Sequence, residues 1–298
     1  MRYAFIEQHR DVWPVVVQCR VLQVSACGFR AWRERRSAPR PAEPGGRVGD
    51  LELLTHIRAE FAASKQTYGW PRMVRQLRAK GLRVGKERVR KTMQAHDIRV
   101  RPRRRFKQTT DSNHNLPIAP NLLNREFAAE APNEVWVGDI TYVWTAEGWL
   151  YLATVIDLFS RQLVGFAMAE HMEAQLVVDA LRMAWFRRRP APGLIFHSDR
   201  GSQYASKAFA KQLRAFGMRA SMSRKGDCWD NAVAESWFGS LKDECVHRHD
   251  FGTRRAASDE IMAWIARYNH SRLHSTLGYL SPMAYEKKWL DRQLAQAA

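Results

Sequence analysis

The sequence predicts an α/β domain of enzyme size that is preceded by all-α units. Apolar residues recur at helical spacing before residue 97, whereas three runs of branched and aromatic residues, separated by short turns, follow residue 133. Helices then alternate with two more short strands. A chain of 298 residues with 45% apolar content can fill the cores of two domains.

The first 45 residues predict a small helical unit. Pro14 suits the first turn of a helix that runs through Leu22, and Ser25 caps a second short helix that ends at about Arg36. A Pro/Gly-rich linker follows at residues 37–46. We therefore expect a helix-turn-helix pair with a linker as the first domain, residues 1–45.

Residues 46–108 predict a second helix-turn-helix domain. An apolar helix face runs from Leu51 to Phe61, Pro71 starts another helix, and Gly85 precedes a third. The third helix and the basic arm after it carry the candidate DNA contacts. These are Lys86, Arg88, Arg90, Lys91, Arg101, Arg103, Arg104 and Arg105. A charged solvated face and a disordered arm are the alternatives.

The charge distribution favours nucleic acid as the partner. Residues 1–130 hold 27 Lys/Arg and 12 Asp/Glu, a net charge of +15, and residues 131–298 hold 21 and 18, a net charge of +3; together they give the +18 of the chain. Because surface solubility alone does not explain this asymmetry, we expect the first half to bind a polyanion.

After a connector at residues 109–130, residues 131–298 predict the α/β domain with its C-terminal helices. Three strands at 134–144, 149–156 and 162–168 are joined by short turns and should form an antiparallel meander. The later elements are a helix at 173–187, a strand at 194–197, a helix at 203–216, a strand at 218–222 and a helix at 230–246.

The sequence does not favour a membrane protein or a zinc-binding domain. No stretch reaches the ~20 apolar residues of a membrane helix, and the first residues lack a signal-peptide core, so we expect a cytoplasmic protein. The four cysteines form no Cys-x-x-Cys pair. We interpret the segment from Cys245 to His249 as a helix end with solvated histidines.

Three acidic residues, Asp139, Asp199 and Glu235, form the candidate catalytic and metal-binding set. Asp139 lies in a strand that is apolar on both faces, where an unpaired carboxylate is costly. Asp199 ends a buried strand, and Glu235 lies beside the apolar seam of a helix. Clustered carboxylates need cations, and two Mg²⁺ ions about 4 Å apart, or Mn²⁺ in their place, suit phosphoryl transfer.

Several segments resemble a known family. They are Trp136-Val-Gly-Asp139-Ile-Thr-Tyr, Val155-Ile-Asp-Leu-Phe-Ser-Arg161, His197-Ser-Asp199-Arg-Gly-Ser-Gln-Tyr204, Asp230-Asn-Ala-Val-Ala-Glu235-Ser-Trp-Phe, Leu241-Lys242-Asp-Glu, and the run from Tyr68 to Arg72 together with that from Tyr268 to Pro282. Over roughly residues 50–285 the chain resembles the second-frame (OrfB) transposases of the insertion-sequence-three family, relatives of retroviral integrases. Residues 200–234, 35 in number, separate Asp199 from Glu235, as in the family pattern.

The resemblance implies an RNase H-like core with a mixed five-stranded sheet, in which Asp139, Asp199 and Glu235 form the DDE motif of an integrase catalytic core. It further implies cleavage and strand transfer at the terminal inverted repeats of an insertion sequence, and homo-multimers that pair element ends and join them to target DNA. An upstream-frame partner or fusion, and association with the bacterial nucleoid, are also implied. The zinc module of the retroviral relatives is absent from the sequence, and helix-turn-helix units take its place.

For the remaining candidate residues, a structural role is an alternative to a functional one. Lys242, on the helix face of Glu235, is the candidate phosphate contact, with a surface lysine as the alternative. Asp157 is interpreted as a structural turn residue, and Asn231 as a helix cap. His197 suits the metal site or a buried strand end equally well. The segment with Arg272 and His274 either grips DNA or closes the domain.

Three functions remain open at this level. A transposase would use one active site for cleavage and joining. A DNA-binding regulator would need only the helix-turn-helix units, and a nuclease would cut without strand transfer.

Overall fold

A computed structural model of the protein describes residues 2–37, 48–101, 117–123, 129–224 and 232–297. Arg103, Arg104, Arg105 and Asn231 lie outside the described residues.

Three helices build the N-terminal unit. They are α1 (Arg2–Gln8), α2 (Val15–Val21) and α3 (Ala26–Ser37). Ile6, Cys19 and Phe29 are buried at their junction. The two helices predicted from the sequence are confirmed, whereas α1 was not predicted. A helix of seven residues is unstable alone, so the packing of Ile6 on its neighbours stabilises it.

The second unit has the three predicted helices. They are α4 (Asp50–Ala63), α5 (Trp70–Ala79) and α6 (Lys86–Ala95). Leu53, Ile57, Met73, Leu77 and Val89 are fully buried between them. The apolar positions that predicted these helices are therefore the positions that pack the unit together.

The C-terminal half contains one mixed five-stranded sheet, as predicted. Its strands are β1 (Val135–Thr145), β2 (Gly148–Asp157), β3 (Leu163–Ala169), β4 (Ile195–Ser198) and β5 (Arg219–Met222). The strand order is β3-β2-β1-β4-β5. β1, β2 and β3 pair antiparallel, confirming the meander, and β4 and β5 continue the sheet parallel to β1.

Helices cover both faces of the sheet. α7 (Ala174–Arg188) and α8 (Lys207–Ala215) contribute to one apolar core. α9 (Ala232–Glu244) and α10 (Arg254–His270) contribute to the other, and α11 (Pro282–Ala297) follows. The predicted helix at 203–216 begins only at Lys207. The reason is a cap: the Phe209 N–H donates to Ser206 Oγ at 3.2 Å.

Gly165 in β3 allows α7 to approach the sheet. A Cβ at this position would collide with the backbone of Ala180 and lie 2.7 Å from the Ala184 Cβ. We expect Gly165→Ala to lower the free energy of unfolding by about 1–3 kcal/mol, because backbone cannot move aside cheaply. Urea denaturation measures this. Gly239→Ala is the control, because a Cβ there meets nothing within 4 Å and alanine favours the helix.

The second helical unit is docked against α10 and the segment after it. Tyr68 Oη accepts a hydrogen bond from the Leu273 N–H at 2.8 Å. Arg267 donates to the Ser64 carbonyl at 3.1 Å, and Arg248 donates to the Lys65 carbonyl at 2.7 Å. These contacts join the turn between α4 and α5 to the domain that carries the acidic residues.

Candidate active site

Asp139 and Asp199 lie on neighbouring strands, at the point where β4 ends beside the middle of β1. Gly138 of β1 pairs with Ser198, the last residue of β4, and the two aspartates are the next residue on each strand. Parallel neighbours are about 4.8 Å apart. Both side chains are partly buried. The sheet register therefore brings together two residues that are sixty positions apart in sequence.

Glu235 joins the aspartates from the first turn of α9. Its neighbours Ala234 and Phe238 are buried against the sheet, while Glu235 itself is exposed. Its carboxylate is nevertheless desolvated enough that its pKa is raised above the ordinary value. The apolar side of α9 thus packs on the sheet and holds the Glu235 carboxylate near Asp139 of β1.

The three carboxylates act on one another electrostatically. Desolvation raises the pKa of Asp139 well above the ordinary value, and the charges of Asp199 and Glu235 raise it further. The Ile140 N–H, which donates to Asp139 Oδ1 at 2.7 Å, and the positive charge of Lys242 oppose this rise in pKa. Desolvation and the repulsion between the carboxylates together therefore outweigh the stabilisation that these two groups give to the ionised form of Asp139.

Lys242 lies near the three carboxylates, about two turns beyond Glu235 on α9. Its Nζ is 5.4 Å from the centre of the Tyr142 ring, and desolvation lowers its pKa while the charges of Tyr142 and Asp139 raise it. Lys242 and Asp139 are therefore close enough for their charges to interact, whereas contact of Lys242 with a phosphate stays a prediction. A cation next to the carboxylates suits contact with a phosphate.

Tyr204 is a buried neighbour of Asp139 and Asp199 for which the sequence predicted no role. It is buried, and desolvation together with the charges of Asp139 and Asp199 raises its pKa well above the ordinary value. A Cβ on Gly138 would come within 2.5 Å of Phe196 and 3.2 Å of Tyr204. The glycine before Asp139 therefore leaves the space in which these two rings pack against β1.

The residues present fit a divalent cation. The three carboxylates offer hard oxygen ligands, and without a bound metal Asp199 and Glu235 both raise the cost of ionising Asp139. A metal ion would remove that repulsion and keep all three ionised. The donor set is typical of Mg²⁺ or Mn²⁺ sites.

Asp157 and His197 have structural roles. Asp157 is fully buried and accepts hydrogen bonds from the N–H groups of Asn133 (2.7 Å) and Ser160 (2.9 Å). His197 is fully buried in β4, and its Nδ1 lies 2.8 Å from Ser221 Oγ. The structure therefore favours the strand-end interpretation of His197, since its partner belongs to β5.

Arg272 closes the domain by pairing with Glu244, the last residue of α9. The Arg272 side chain is buried, and its Nη2 lies 2.6 Å from Glu244 Oε1. His274 lies in the same segment, where its Nδ1 is 2.8 Å from Thr276 Oγ1. Of the two interpretations of this segment, the structure favours domain closure, because the guanidinium of Arg272 is already used inside the protein.

His274 should make the stability of the protein depend on pH. Desolvation and the positive charges of Arg272, Arg161 and Arg72 lower its pKa from 6.5 to about 4. The unfolded chain therefore binds a proton at a higher pH than the folded chain does. Stability from this group is present above about pH 6.5 and is lost as the pH falls through about 4.

We expect His274→Gln to reduce the loss of unfolding free energy between pH 7 and pH 4 by about 1–2 kcal/mol. Urea titrations at several pH values measure this loss. The exposed His96→Gln serves as control. An identical pH dependence in wild type and His274→Gln would contradict the assignment.

Cys245 and His249 approach Glu260 of α10, a contact that the sequence did not indicate. One potential ligand atom from each lies within 4.8 Å of the others. Burial raises the pKa of Cys245 to about 12, which keeps it a thiol and a poor metal ligand. Glu260 Oε1 lies 2.8 Å from Lys65 Nζ. An ion pair therefore already supplies the carboxylate with a cation.

The candidate DNA contacts of α6 differ in exposure. Lys86 and Lys91 are exposed, as is Arg101 beyond the helix. Arg88 is half-buried and donates to Asp50 Oδ1 and to the Val48 carbonyl, so it also holds the start of α4. Arg90 pairs with Glu87 at 2.9 Å. DNA contact by any of these residues stays a prediction.

None of the helices in the described part of the chain combines the length and apolar character needed to cross a lipid bilayer.

Three family models match the sequence. An integrase core domain model matches residues 129–228, and a second integrase core domain model matches residues 216–282. An HTH-like domain model matches residues 49–106. The matches thus fall on the five-stranded domain and on the second helical unit.

Curated relatives match nearly the whole chain. Transposase InsF for insertion sequence IS3A of Escherichia coli (strain K12) is 42% identical over 289 residues, 97% of this chain and 99% of the relative. The insertion element IS600 uncharacterized 31 kDa protein of Shigella sonnei is 42% identical over 272 residues, 91% of this chain and 98% of the relative. Since both matches cover more than nine-tenths of this chain, they include residues of the second helical unit and of the five-stranded domain.

Among solved structures, the HTLV-2 integrase catalytic core domain in complex with magnesium (trimeric form) is 15% identical to this chain, with a TM-score of 0.43. It covers 53% of this chain and 99% of its own. The sequence identity to the curated relatives, together with the integrase core and HTH-like matches, decides the family. The chain belongs to the insertion-sequence-three family of transposases, which are DDE polynucleotidyl transferases with an integrase catalytic core.

Proposed function

We propose that this chain cleaves the 3′ ends of its insertion sequence and joins them to a second DNA, using Asp139, Asp199 and Glu235 for both steps. The observation that carries this proposal is the placement of the three carboxylates. Asp139 and Asp199 are neighbours where β4 ends beside β1, Glu235 approaches them from α9, and the charges of Asp199 and Glu235 raise the pKa of Asp139. Clustered and desolvated carboxylates are costly to a fold, so their presence here indicates a site that binds divalent metal ions.

Each side chain has a defined task in this proposal. Asp139, Asp199 and Glu235 would hold the metal ions, proposed as two Mg²⁺ with Mn²⁺ able to substitute. Bound there, the ions would activate the attacking oxygen and stabilise the departing one. Lys242 contacts a phosphate beside the scissile bond, and the buried ring of Tyr204 helps to exclude water from below.

One site then suffices for two reactions of the same class. Water attacks the phosphodiester at the element end, and the bond to the departing oxygen breaks, which leaves a free 3′-hydroxyl. That hydroxyl next attacks a phosphodiester of the target strand: a new bond forms between its oxygen and the phosphorus, the existing phosphorus–oxygen bond of the target strand breaks, and the target is left with a free 3′-hydroxyl. Both are in-line displacements at phosphorus, so the residues need no rearrangement of roles.

The DNA partners are assigned to the basic half of the chain. We propose that α6 and the arm after it bind the terminal inverted repeats, with Lys86, Lys91 and Arg101 as exposed contacts. The docking of the second helical unit on α10 would hold the bound repeat at a set distance from the carboxylates. Pairing of two ends requires a homo-multimer, and an upstream-frame partner or fusion would extend the chain.

The test is a joining assay with purified full-length protein. Labelled duplexes from the DNA that flanks the gene are incubated with an unlabelled target plasmid in Mg²⁺ or in EDTA. Joined products in Mg²⁺ alone support the proposal. Cut ends without joining would indicate a nuclease, and binding without either product would indicate a regulator.

A further inference from the structure

Positive charge in the α/β domain is concentrated in the segment that contains most of α7 and all of α8. Residues 131–298 carry a net charge of only +3, from 21 Lys/Arg and 18 Asp/Glu. Within them, residues 180–219 hold nine Lys/Arg and one acidic residue, Asp199, so the rest of the domain holds twelve and seventeen. The domain is therefore basic in one segment and acidic elsewhere. Solubility does not require such a separation, because a mixture of charges serves it equally well.

Three of these cations form a stripe on α8. Lys207, Lys211 and Arg214 are exposed and follow one another at spacings of four and three residues, which places them on one face of the helix. Phe209 and Leu213 are buried on the other side of the helix. Among the described residues, no carboxylate forms an ion pair with any of the three cations. We call Lys207, Lys211 and Arg214 the α8 basic face.

A fourth cation, Arg182 of α7, lies next to this face. Its Nε donates to Gln212 Oε1 of α8 at 3.0 Å, which holds the guanidinium beside the helix. Asp179, in the preceding turn of α7, lies 3.9 Å from Arg182 and compensates part of its charge. The uncompensated positive charge of this surface is therefore carried mainly by α8.

The α8 basic face begins close to the carboxylates, because two hydrogen bonds fold the connection into a compact turn. The Gly201 N–H donates to Asp199 Oδ1 at 3.0 Å, and the Gly201 carbonyl accepts from the Ala205 N–H at 3.1 Å. Lys207, the first residue of α8, is thus held at the end of the sheet where Asp199 lies. Arg214 follows seven residues later, about 10 Å along the helix at ~1.5 Å per residue.

The helix α8 leads away from the acidic site along the sheet. β5 follows α8 and pairs parallel to β4, so α8 returns from the end of β4 to the start of β5. It lies on the face of the sheet that α7 covers, whereas α9, which carries Glu235, lies on the opposite face. The α8 basic face is therefore outside the group of carboxylates. A duplex bound on it reaches them by passing the end of β4.

The chemistry of this face suits the backbone of a DNA duplex. Exposed Lys and Arg side chains bind phosphates and read no base sequence by those contacts. Phosphates of one strand are about 3.4 Å apart along the duplex axis, so a stripe of about 10 Å spans about three of them. The proposed reaction needs two DNA segments, and the terminal repeats are assigned to α6 and its arm. The second segment needs only to be held near the carboxylates.

We propose that the α8 basic face binds the sugar–phosphate backbone of the target duplex, the DNA that the freed 3′-hydroxyl attacks. This inference rests on the proposed function, because it takes the carboxylates to be the site of joining. Contacts from Lys207 to Arg214 orient the target so that one of its phosphodiesters reaches the acidic site. The element end and the target are then held by different elements of the protein.

Binding of a second DNA to protein that already holds element ends tests the inference. Full-length protein is saturated with an unlabelled duplex from the DNA that flanks the gene, and a labelled duplex of unrelated sequence is titrated in EDTA at several salt concentrations. Lys207→Gln/Lys211→Gln/Arg214→Gln should weaken this second binding at least about tenfold at about 0.15 M salt. It should also reduce the slope of log affinity against log salt by about 2–3. Affinity for the element-end duplex should stay unchanged.

A matched control removes the same charge elsewhere. Lys287→Gln/Lys288→Gln/Arg292→Gln changes three exposed cations of α11 and should leave both affinities as in wild type. Lys207→Arg/Lys211→Arg/Arg214→Lys keeps the charge of the α8 face and should also bind as wild type does. Circular dichroism and unfolding midpoints establish that the variants are folded.

Three results overturn the inference. They are an unchanged second binding in the α8 glutamine variant, equal losses in the α8 and α11 glutamine variants, and a loss confined to the element-end duplex. Equal losses would mean that net charge acts rather than this face. A loss confined to the end duplex would assign the face to the element end.

The joining assay separates this inference from the proposed function. In Mg²⁺, the α8 glutamine variant should need at least about tenfold more target plasmid for half-maximal joining, while cleavage of the element ends is unchanged. Second binding that depends on the α8 basic face, without any joined product in wild type, supports the second-DNA site and contradicts the proposed function. Joining by the α8 glutamine variant at wild-type target concentrations overturns the inference and leaves the proposed function intact.

Discussion

Asp139→Asn is expected to abolish DNA cleavage and joining while DNA binding persists. The amide keeps the shape of the side chain but removes the negative charge that the proposed metal ions require. Asp139 is the carboxylate on which the charges of both other acids act. We expect the rate to fall by at least a factor of about 10³, which corresponds to about 4 kcal/mol of lost transition-state stabilisation.

Asp199→Asn and Glu235→Gln should have losses of similar size, and combining two changes should add little, because residues that act as one unit are not additive. The joining assay in Mg²⁺ measures the rates, and anisotropy measures DNA affinity. Asp291→Asn on the exposed surface of α11 is the matched control. Full activity in any of the three single variants would refute the assignment of the site.

Glu244→Ala is expected to give the largest loss of stability among single changes proposed here. Glu244 ends α9, is 8% exposed, and accepts hydrogen bonds from Arg272 through both of its oxygens. Arg267 lies 3.3 Å from it, and Arg72 of the second helical unit lies 3.8 Å from it. Desolvation would raise the pKa of Glu244, but hydrogen bonding and charge from Arg272, then Arg267 and Arg72, lower it.

Removing this carboxylate leaves buried arginines without their anion, at a cost of about 3–5 kcal/mol. Urea denaturation measures this. The control is Asp259→Ala, which breaks a 2.9 Å pair with the exposed Arg255 and should cost less than about 1 kcal/mol. Similar losses for the two variants would contradict the role of Glu244. Because Arg72 belongs to α5, the Glu244 cluster also ties the second helical unit to the helix that carries Glu235.

Much of the fold follows from local pattern. The three helices of the second unit were predicted because residues such as Ile57 and Leu77 recur at helical spacing, and the same residues form its core. The meander was predicted because turns as short as that between β1 and β2 permit only an antiparallel return. The α1 helix was missed, since seven residues without a cap give no signal and packing alone stabilises them.

The residues of the candidate site could be predicted from the sequence, but the way in which they come together could not. Asp139 could be selected because it lies in an apolar strand, Asp199 because it ends one, and Glu235 because it lies beside the apolar seam of a helix; the resemblance to a known family added the spacing between Asp199 and Glu235. Their proximity depends on β4 pairing parallel to β1, which is a contact between distant segments. Glu244 gave no usable signal, because a glutamate near a helix end is common and its three arginines come from other elements.

By itself, the sequence determined the helices, the strands, the acidic residues and the basic character of the first half, because these depend on side-chain type and local spacing. Only the tertiary structure decided that the carboxylates come together where β4 ends beside β1, that Arg272 closes the domain, and that exposed aromatic rings lie on the hairpin of β1 and β2. The first two depend on contacts between segments far apart in the chain, and the third depends on which segments cover the hairpin; local spacing encodes neither.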